Sequence, residues 1–232
     1  MSAPLRARRN IYGPTLAQLH AQAYGDTFAP AWPWLASQIR AAAPRPYLFD
    51  IGCGDGRWLA YARNMKIDGQ GIDTSPVFVT MTRENGGEAA LESAATMRPP
   101  ARITAATALG EVLAYKPAAL APAVLTLARA LPSGGLLFFD LPGPDIQEGD
   151  SDRGGDGWRL SVQQRKQGNL LVRKIQIETS EGLEQEVHEQ VLFAPQEALG
   201  IVEGFGLQGE ILASYGGCKL LPGRFAIRAV KP

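Results

Sequence analysis

Between Leu48 and Gly56 the chain reads Leu-Phe-Asp-Ile-Gly-Cys-Gly-Asp-Gly: an apolar run, an acid, then glycine at alternate positions. Glycine lets the backbone turn sharply after a strand and admits a ligand where a Cβ would collide. A helix opening near Gly56 points its free N–H groups at that ligand. Dinucleotide sites use G-x-G-x-x-G, in which the third glycine lets a pyrophosphate sit over the helix end. Here Arg57 occupies that place, so the spacing favours a ligand without pyrophosphate. By itself the loop says only that the ligand is nucleotide-like.

Asp73 closes the second strand, Gln70 to Ile72, and Thr74-Ser75-Pro76 follow it. An acid roughly 20 residues beyond a glycine loop suits two vicinal ribose hydroxyls. The plainer role is to cap the helix behind it, a task Thr74 and Ser75 can perform instead.

The chain has two histidines. His20 shares a helical face with Leu16 and Tyr24, which makes it either a packing residue or a cleft residue in a cap. His188 shares its strand face with Glu184, Glu186 and Gln190, opposite Val187, Val191 and Phe193. That face is either solvent or the roof of a cleft. Glu111, after the fourth strand, stands where such architectures gather ligands, or it merely places charge at a helix start. Tyr12, Tyr24, Tyr115 and Tyr215 suit an apolar pocket or plain core.

The elements that must position these groups alternate as strand and helix from Tyr47 onward, the pattern of a parallel sheet with crossover helices. Helices from Thr15 to Tyr24 and from Pro33 to about Ile39 form an N-terminal cap over 1–44, ended by Pro44 and Pro46. The α/β core occupies 45–144. It has strands at Tyr47 to Ile51, Gln70 to Ile72, Glu88 to Ala94, Ile103 to Leu109 and Leu136 to Asp140, and helices at Gly56 to Asn64, after Pro76, and at Pro122 to Leu131. The Asp- and Gly-rich stretch 145–157 reads as a mobile loop. Three strands in succession over 158–194, Trp158 to Gln164, Leu170 to Glu178 and Leu183 to Phe193, read as an antiparallel insertion or lid. The segment 195–232 returns to the core with a helix from Pro195 to Glu203 and strands near Leu207 to Ser214 and Arg224 to Val230.

Lys plus Arg number 23, as do Asp plus Glu, so no basic excess advertises a nucleic-acid backbone or an anionic membrane. Cys53 and Cys218 give neither a disulfide framework nor a zinc pattern, which fits a reduced, cytoplasmic setting with no metal. The arginine-rich tip Met1 to Asn10 has no apolar run behind it, unlike a secretory signal. Nothing approaches the roughly 20 apolar residues of a membrane span.

Taken together, Asp50 to Gly56, Asp73, Ala108 to Tyr115, the turn Leu131 to Asp140 and the reversed terminal strand from Pro222 resemble the class I (Rossmann-like) S-adenosylmethionine-dependent methyltransferases of small-molecule type, over roughly Tyr12 to Pro232. The resemblance implies a seven-stranded, mostly parallel sheet with helices on both faces, carrying the N-terminal cap and the antiparallel ribbon. It implies S-adenosylmethionine as cofactor and S-adenosylhomocysteine as product. Asp50, Gly52, Cys53 and Gly54 would surround the methionyl part, and Asp73 with Thr74 would meet the ribose. Ser93 and Ala94, in the segment to Met97, would frame the adenine, although the acid often found there is missing and Glu92 or a backbone N–H would substitute. Leu109 and Gly110 would lie under the cofactor near the transferred methyl.

Methyl transfer needs an acceptor lone pair held dry and aligned, and a hydroxyl acceptor gains from a base. That makes His20, His188 and Glu111 the candidate catalytic groups, and the four tyrosines the candidate substrate contacts. Nucleic-acid adenine methyltransferases carry Asn or Asp before Pro-Pro-aromatic after the fourth strand, whereas this chain has Ala108-Leu109-Gly110-Glu111. The expectation is N- or O-methylation of a small molecule by a monomer or homodimer, without nucleic acid or membrane as partner. The competing readings are a non-catalytic module that binds the cofactor within an assembly and, more distantly, a nucleotide-dependent oxidoreductase.

Overall fold

All five residues of Tyr47–Ile51 are buried, as a central strand covered on both faces must be. In the computed structural model, which describes residues 11–232 and the backbone of residues 7–8, this strand, β1, is an interior strand of the main sheet. β2 (Asp68–Asp73) and β3 (Ala89–Leu91) add on one side, and β4 (Ala105–Ala108) and β5 (Leu136–Pro142) on the other, all parallel. β10 (Gln208–Leu212) and β11 (Arg224–Val230) complete seven strands in the order β10-β11-β5-β4-β1-β2-β3, with β11 antiparallel to both neighbours. The chain runs outward from β1 in one direction and then returns to run outward in the other. The gap between β1 and β4 is therefore the switch point where α/β sheets bind ligands.

Side-chain alternation along the strands feeds two cores. Phe49, Ile51, Leu137 and Phe139 pack with α5 (Leu120–Ala130) and α6 (Pro195–Gly204). Leu48, Ala105 and Phe138 pack with α2 (Trp32–Ala42) and α3 (Arg57–Asn64) on the other face. Proline opens α1 (Pro14–Tyr24), α4 (Pro76–Glu84) and α6, where its fixed φ suits the first helical turn and its missing N–H costs nothing. No described helix is long and apolar enough to cross a membrane.

A second, antiparallel sheet stands over the switch point. Its order is β6 (Gly149–Gly155), β7 (Trp158–Gln167), β8 (Leu170–Thr179) and β9 (Gly182–Val191), closed by the parallel pair Ala7–Arg8 on β9. Leu160, Ile175 and Ile177 bury one face of it against Leu16 and Leu19 of α1.

Three expectations need correction. The stretch expected as the mobile loop 145–157 contains β6, which pairs residue by residue with β7 from Gly149 opposite Gln164 to Gly155 opposite Trp158. All seven β6 residues are exposed, so an edge strand with no buried face leaves no apolar alternation to read. The third strand is three residues, not the span Glu88 to Ala94, and ends at the sheet edge with Leu91 exposed. The two helices expected as one cap separate: α1 lies under the second sheet, whereas Leu35, Ala36 and Ile39 of α2 belong to the main core. The basic tip Met1 to Asn10 lies outside the described residues save for the backbone of 7–8.

Candidate active site

The loop from β1 to α3 turns back at once: the Gly52 and Cys53 N–H groups both donate to the Ile72 carbonyl, at 2.8 and 3.0 Å. Gly52 (φ +69°) and Gly54 (φ +56°) take left-handed conformations that favour glycine. A Cβ on Gly52 would meet Val112 Cγ2 at 2.6 Å, whereas one on Gly54 would enter open space. That open space is a cradle.

Two acids face it. Asp50 accepts a bond of 2.7 Å from Thr107 Oγ1, which in turn accepts one from the Trp58 indole at 3.1 Å. Burial pushes the Asp50 carboxyl to about 7. Asp73 accepts from the Gly54 N–H at 3.1 Å and the Ser75 N–H at 2.8 Å, and burial pushes its carboxyl to about 6. Neither acid has an ion-pair partner among the described residues, so both gain from a ligand that brings cationic charge or hydroxyl donors. Burial also raises the Cys53 thiol far above its ordinary range, and its sulfur lies 3.6 Å from Thr82 Oγ1, so it is a wall and not a nucleophile.

These groups line a cavity of about 960 Å³ at the carboxyl ends of the strands. Gly52, Cys53, Gly54 and Thr74 line it, as do Ser93 and Ala94 after β3 and Leu109 and Gly110 after β4. The N–H groups of Gly110 and Glu111 both donate to Asp140, at 2.9 Å each, which fixes the β4 turn to β5.

The opposite wall is aromatic. The Tyr12 ring centre lies 5.0 Å from that of His20 and 5.0 Å from that of His188, and the hydroxyls of Tyr12 and Tyr115 are 3.1 Å apart. Tyr24 packs on His20 with centroids 5.1 Å apart. Burial, reinforced by nearby His188, lowers His20 to about 4, so its ring is neutral. His188 is 2% exposed and lines the cavity, whereas Glu184, Glu186 and Gln190 of the same strand face do not. On the opposite face Val187 is 46% exposed, whereas Val191 and Phe193 pack against the main core.

Two candidates sit differently from their expected roles. Tyr215 does not line the cavity; it is fully buried between Phe28 and Trp34. Glu111 lines the cavity but is held by Arg173 Nη1 at 2.8 Å and by Arg224 Nε. Burial raises its carboxyl, yet the two guanidinium groups outweigh that and keep it below its ordinary value. An acid so neutralised is a poor base and a firm anchor between the β4 turn, β8 and β11.

Sequence reasoning passed over Arg173, Arg224 and the anchoring role of Glu186. Glu186 accepts from the Tyr12 and Gly13 N–H groups, at 2.8 Å each, and contacts His188 Nε2 at 2.9 Å. The alternation Glu184, Glu186, His188, Gln190 was its only signal, because nothing local shows which partner meets that face.

Comparison with known proteins agrees with this geometry. A family described as "Methyltransferase domain" matches residues 20–190. The chain is similar to an S-adenosylmethionine-dependent methyltransferase from Clostridium acetobutylicum, at 13% identity and TM-score 0.78 over 93% of this chain and 97% of that one. It is similar to a sugar N-methyltransferase from Streptoalloteichus, at 21% identity and TM-score 0.74 over 99% of both chains. A third likeness is to an amino pentose methyltransferase from Micromonospora echinaspora with S-adenosylmethionine bound, at 19% identity and TM-score 0.72 over 97% of this chain and 100% of that one. At these identities the likeness speaks for the fold. No curated protein matches the chain.

Proposed function

The chain belongs to the methyltransferase-domain family, and from that premise we propose that it moves the methyl group of S-adenosylmethionine to nitrogen or oxygen of a small molecule. The observation that carries this reading is the two-sided cavity: a glycine cradle with two buried acids on one side, an aromatic wall with two histidines on the other. Its volume of about 960 Å³ stands at the upper end of small-molecule sites, about 300–1,000 Å³. That suits a nucleoside-sized cofactor together with one compact acceptor.

The donor set fits the cofactor. Asp50, Gly52 and Gly54 would hold its methionyl part, Asp73 with Thr74 the ribose, Ser93 and Ala94 the adenine edge, and Leu109 and Gly110 the floor. When bound, the cofactor supplies an electrophilic methyl carbon on a sulfonium. The protein then has to hold a lone pair in line with that carbon and keep water out. Tyr12, Tyr24 and Tyr115 offer rings for packing and hydroxyls for orientation. The roof of His188 and the neutral His20 close the acceptor side, and α1 together with the second sheet forms the lid.

Incubation with methyl-labelled S-adenosylmethionine and a panel of small amines, phenols, alcohols and carboxylates, read by mass spectrometry, tests the proposal. Label on at least one acceptor with matching S-adenosylhomocysteine is the expected result. Tight cofactor binding with no transfer across the panel would count against it.

A further inference from the structure

We propose that Glu186 is a positioning residue that fixes the tautomer of His188, so that His188 Nδ1 removes a proton from a hydroxyl or ammonium acceptor only when the N-terminal segment is seated. The inference rests on the methyl-transfer reading and says which acceptors it serves: those that still carry a proton on the attacking atom when they bind.

Three contacts converge on one carboxylate. Glu186 Oε1 accepts the Gly13 N–H, and Oε2 accepts the Tyr12 N–H, each at 2.8 Å. An ionised carboxylate has only acceptors to offer. His188 Nε2 lies 2.9 Å from the same Oε2, so Nε2 must carry the proton. In a neutral ring that leaves the lone pair on Nδ1, which has no partner among the described residues and belongs to a ring lining the cavity. Glu186 and His188 are each 2% exposed, so water does not compete for the pair.

The groups facing His188 come from four elements. Tyr12 and Tyr115 stand over the ring, with centroids 5.0 and 5.7 Å away. His20 on α1 is neutral. Arg173 is its cross-strand neighbour on β8, with its charge committed to Glu111. Glu186 is thus the carboxylate in direct contact that can stabilise a cationic His188.

The step balances. The acceptor proton passes to Nδ1, the freed lone pair bonds to the methyl carbon, and the carbon–sulfur bond breaks with its electron pair left on sulfur. With a hydroxyl acceptor the one positive charge ends on the imidazolium, against Glu186; with an ammonium acceptor the ammonium's charge ends there and the sulfonium's charge ends on the methylated nitrogen. The two amide bonds make this arrangement conditional on the lid, because the residues that anchor Glu186 immediately precede α1, which opens at Pro14.

Nitrogen NMR of histidine-labelled protein bound to S-adenosylhomocysteine reads the tautomer directly, and a His20→Gln variant assigns the two rings. A proton on Nε2 of His188 is expected; a proton on Nδ1 overturns the proposal. In Glu186→Gln, whose amide can donate to Nε2, the tautomer should reverse, and kcat should fall by roughly 10²-fold or more. The cofactor Kd should change much less than kcat, since no hydrogen bond among the described residues joins Glu186 directly to the glycine loop or to Asp73. Unchanged kcat and an unchanged pH–rate profile in that variant also overturn the proposal. Should the variant not fold, the tautomer in the unaltered protein still decides. Absence of transfer to any acceptor would strike the methyl-transfer reading and leave the tautomer result readable.

Discussion

The backbone N–H of Gly54 donates to Asp73 Oδ2 at 3.1 Å. This bond ties the tip of the glycine loop after β1 to the acid that ends β2. A ligand resting on Gly54 therefore has Asp73 within reach, and movement of either element disturbs the other. It explains why a backbone conformation and a carboxylate nineteen positions apart act as one half of the site.

Changing Asp73→Ala should weaken S-adenosylhomocysteine binding by about 1–3 kcal/mol, the scale of charge-assisted bonds to hydroxyls. Because burial pushes the carboxyl to about 6 and hydroxyl donors favour the ionised form, affinity should be level above that pH and fall below it. Titration calorimetry across pH checks both. An unchanged Kd in the variant would return Asp73 to capping.

The two loop glycines should separate fold from ligand. Gly52→Ala places a Cβ 2.6 Å from Val112 Cγ2 and should cost about 1–3 kcal/mol of stability for the overlap in addition to about 1–2 kcal/mol for its left-handed φ. Gly54→Ala meets nothing within 4 Å, so its stability cost should be only about 1–2 kcal/mol. It should nevertheless abolish cofactor binding. Urea denaturation beside calorimetry distinguishes them, and full affinity in Gly54→Ala would contradict the cradle.

Removing the charge of Glu111 strands two arginines whose side chains are 14% and 19% exposed. Glu111→Gln should destabilise the protein by roughly 2–4 kcal/mol, somewhat less than for a fully buried pair. The loss should appear as a lower denaturation midpoint. A variant of native stability that had lost only turnover would instead make Glu111 a chemical participant.

Burial raises Asp50 and Asp140 to about 7 and Asp73 to about 6, so these acids hold protons more tightly in the folded state. Their stabilising contribution is complete below the unfolded carboxylate range and is lost as pH rises through 6 to 7. His20, lowered to about 4, works in the opposite direction, one group against three. Thermal unfolding of the ligand-free protein should therefore occur at a higher temperature at about pH 5 than at about pH 8. Bound S-adenosylhomocysteine should narrow the difference by engaging Asp50 and Asp73. A midpoint that rises with pH would contradict these assignments.

Periodicity revealed the elements whose burial is one-sided or complete. β1, β5 and β11 are apolar runs, and the ribbon strands alternate. β6 was illegible because both its faces meet solvent, so its identity rests on backbone pairing alone. The glycine loop and Asp73 could be read because the motif itself is local. Glu111, Tyr215 and His188 could not be settled locally. Their roles depend on Arg173, Arg224, Trp34 and Tyr12, which come from the second sheet, the main sheet, α2 and the segment before α1 and meet them only in the folded chain.

The most direct test of the account is a crystal structure with S-adenosylhomocysteine bound. The ribose is expected on Asp73, the amino-acid part over Gly52 and Gly54, and the sulfur turned toward the wall of Tyr12, Tyr115 and His188. A sulfur pointing away from that wall, or a ligand seated elsewhere, would contradict it.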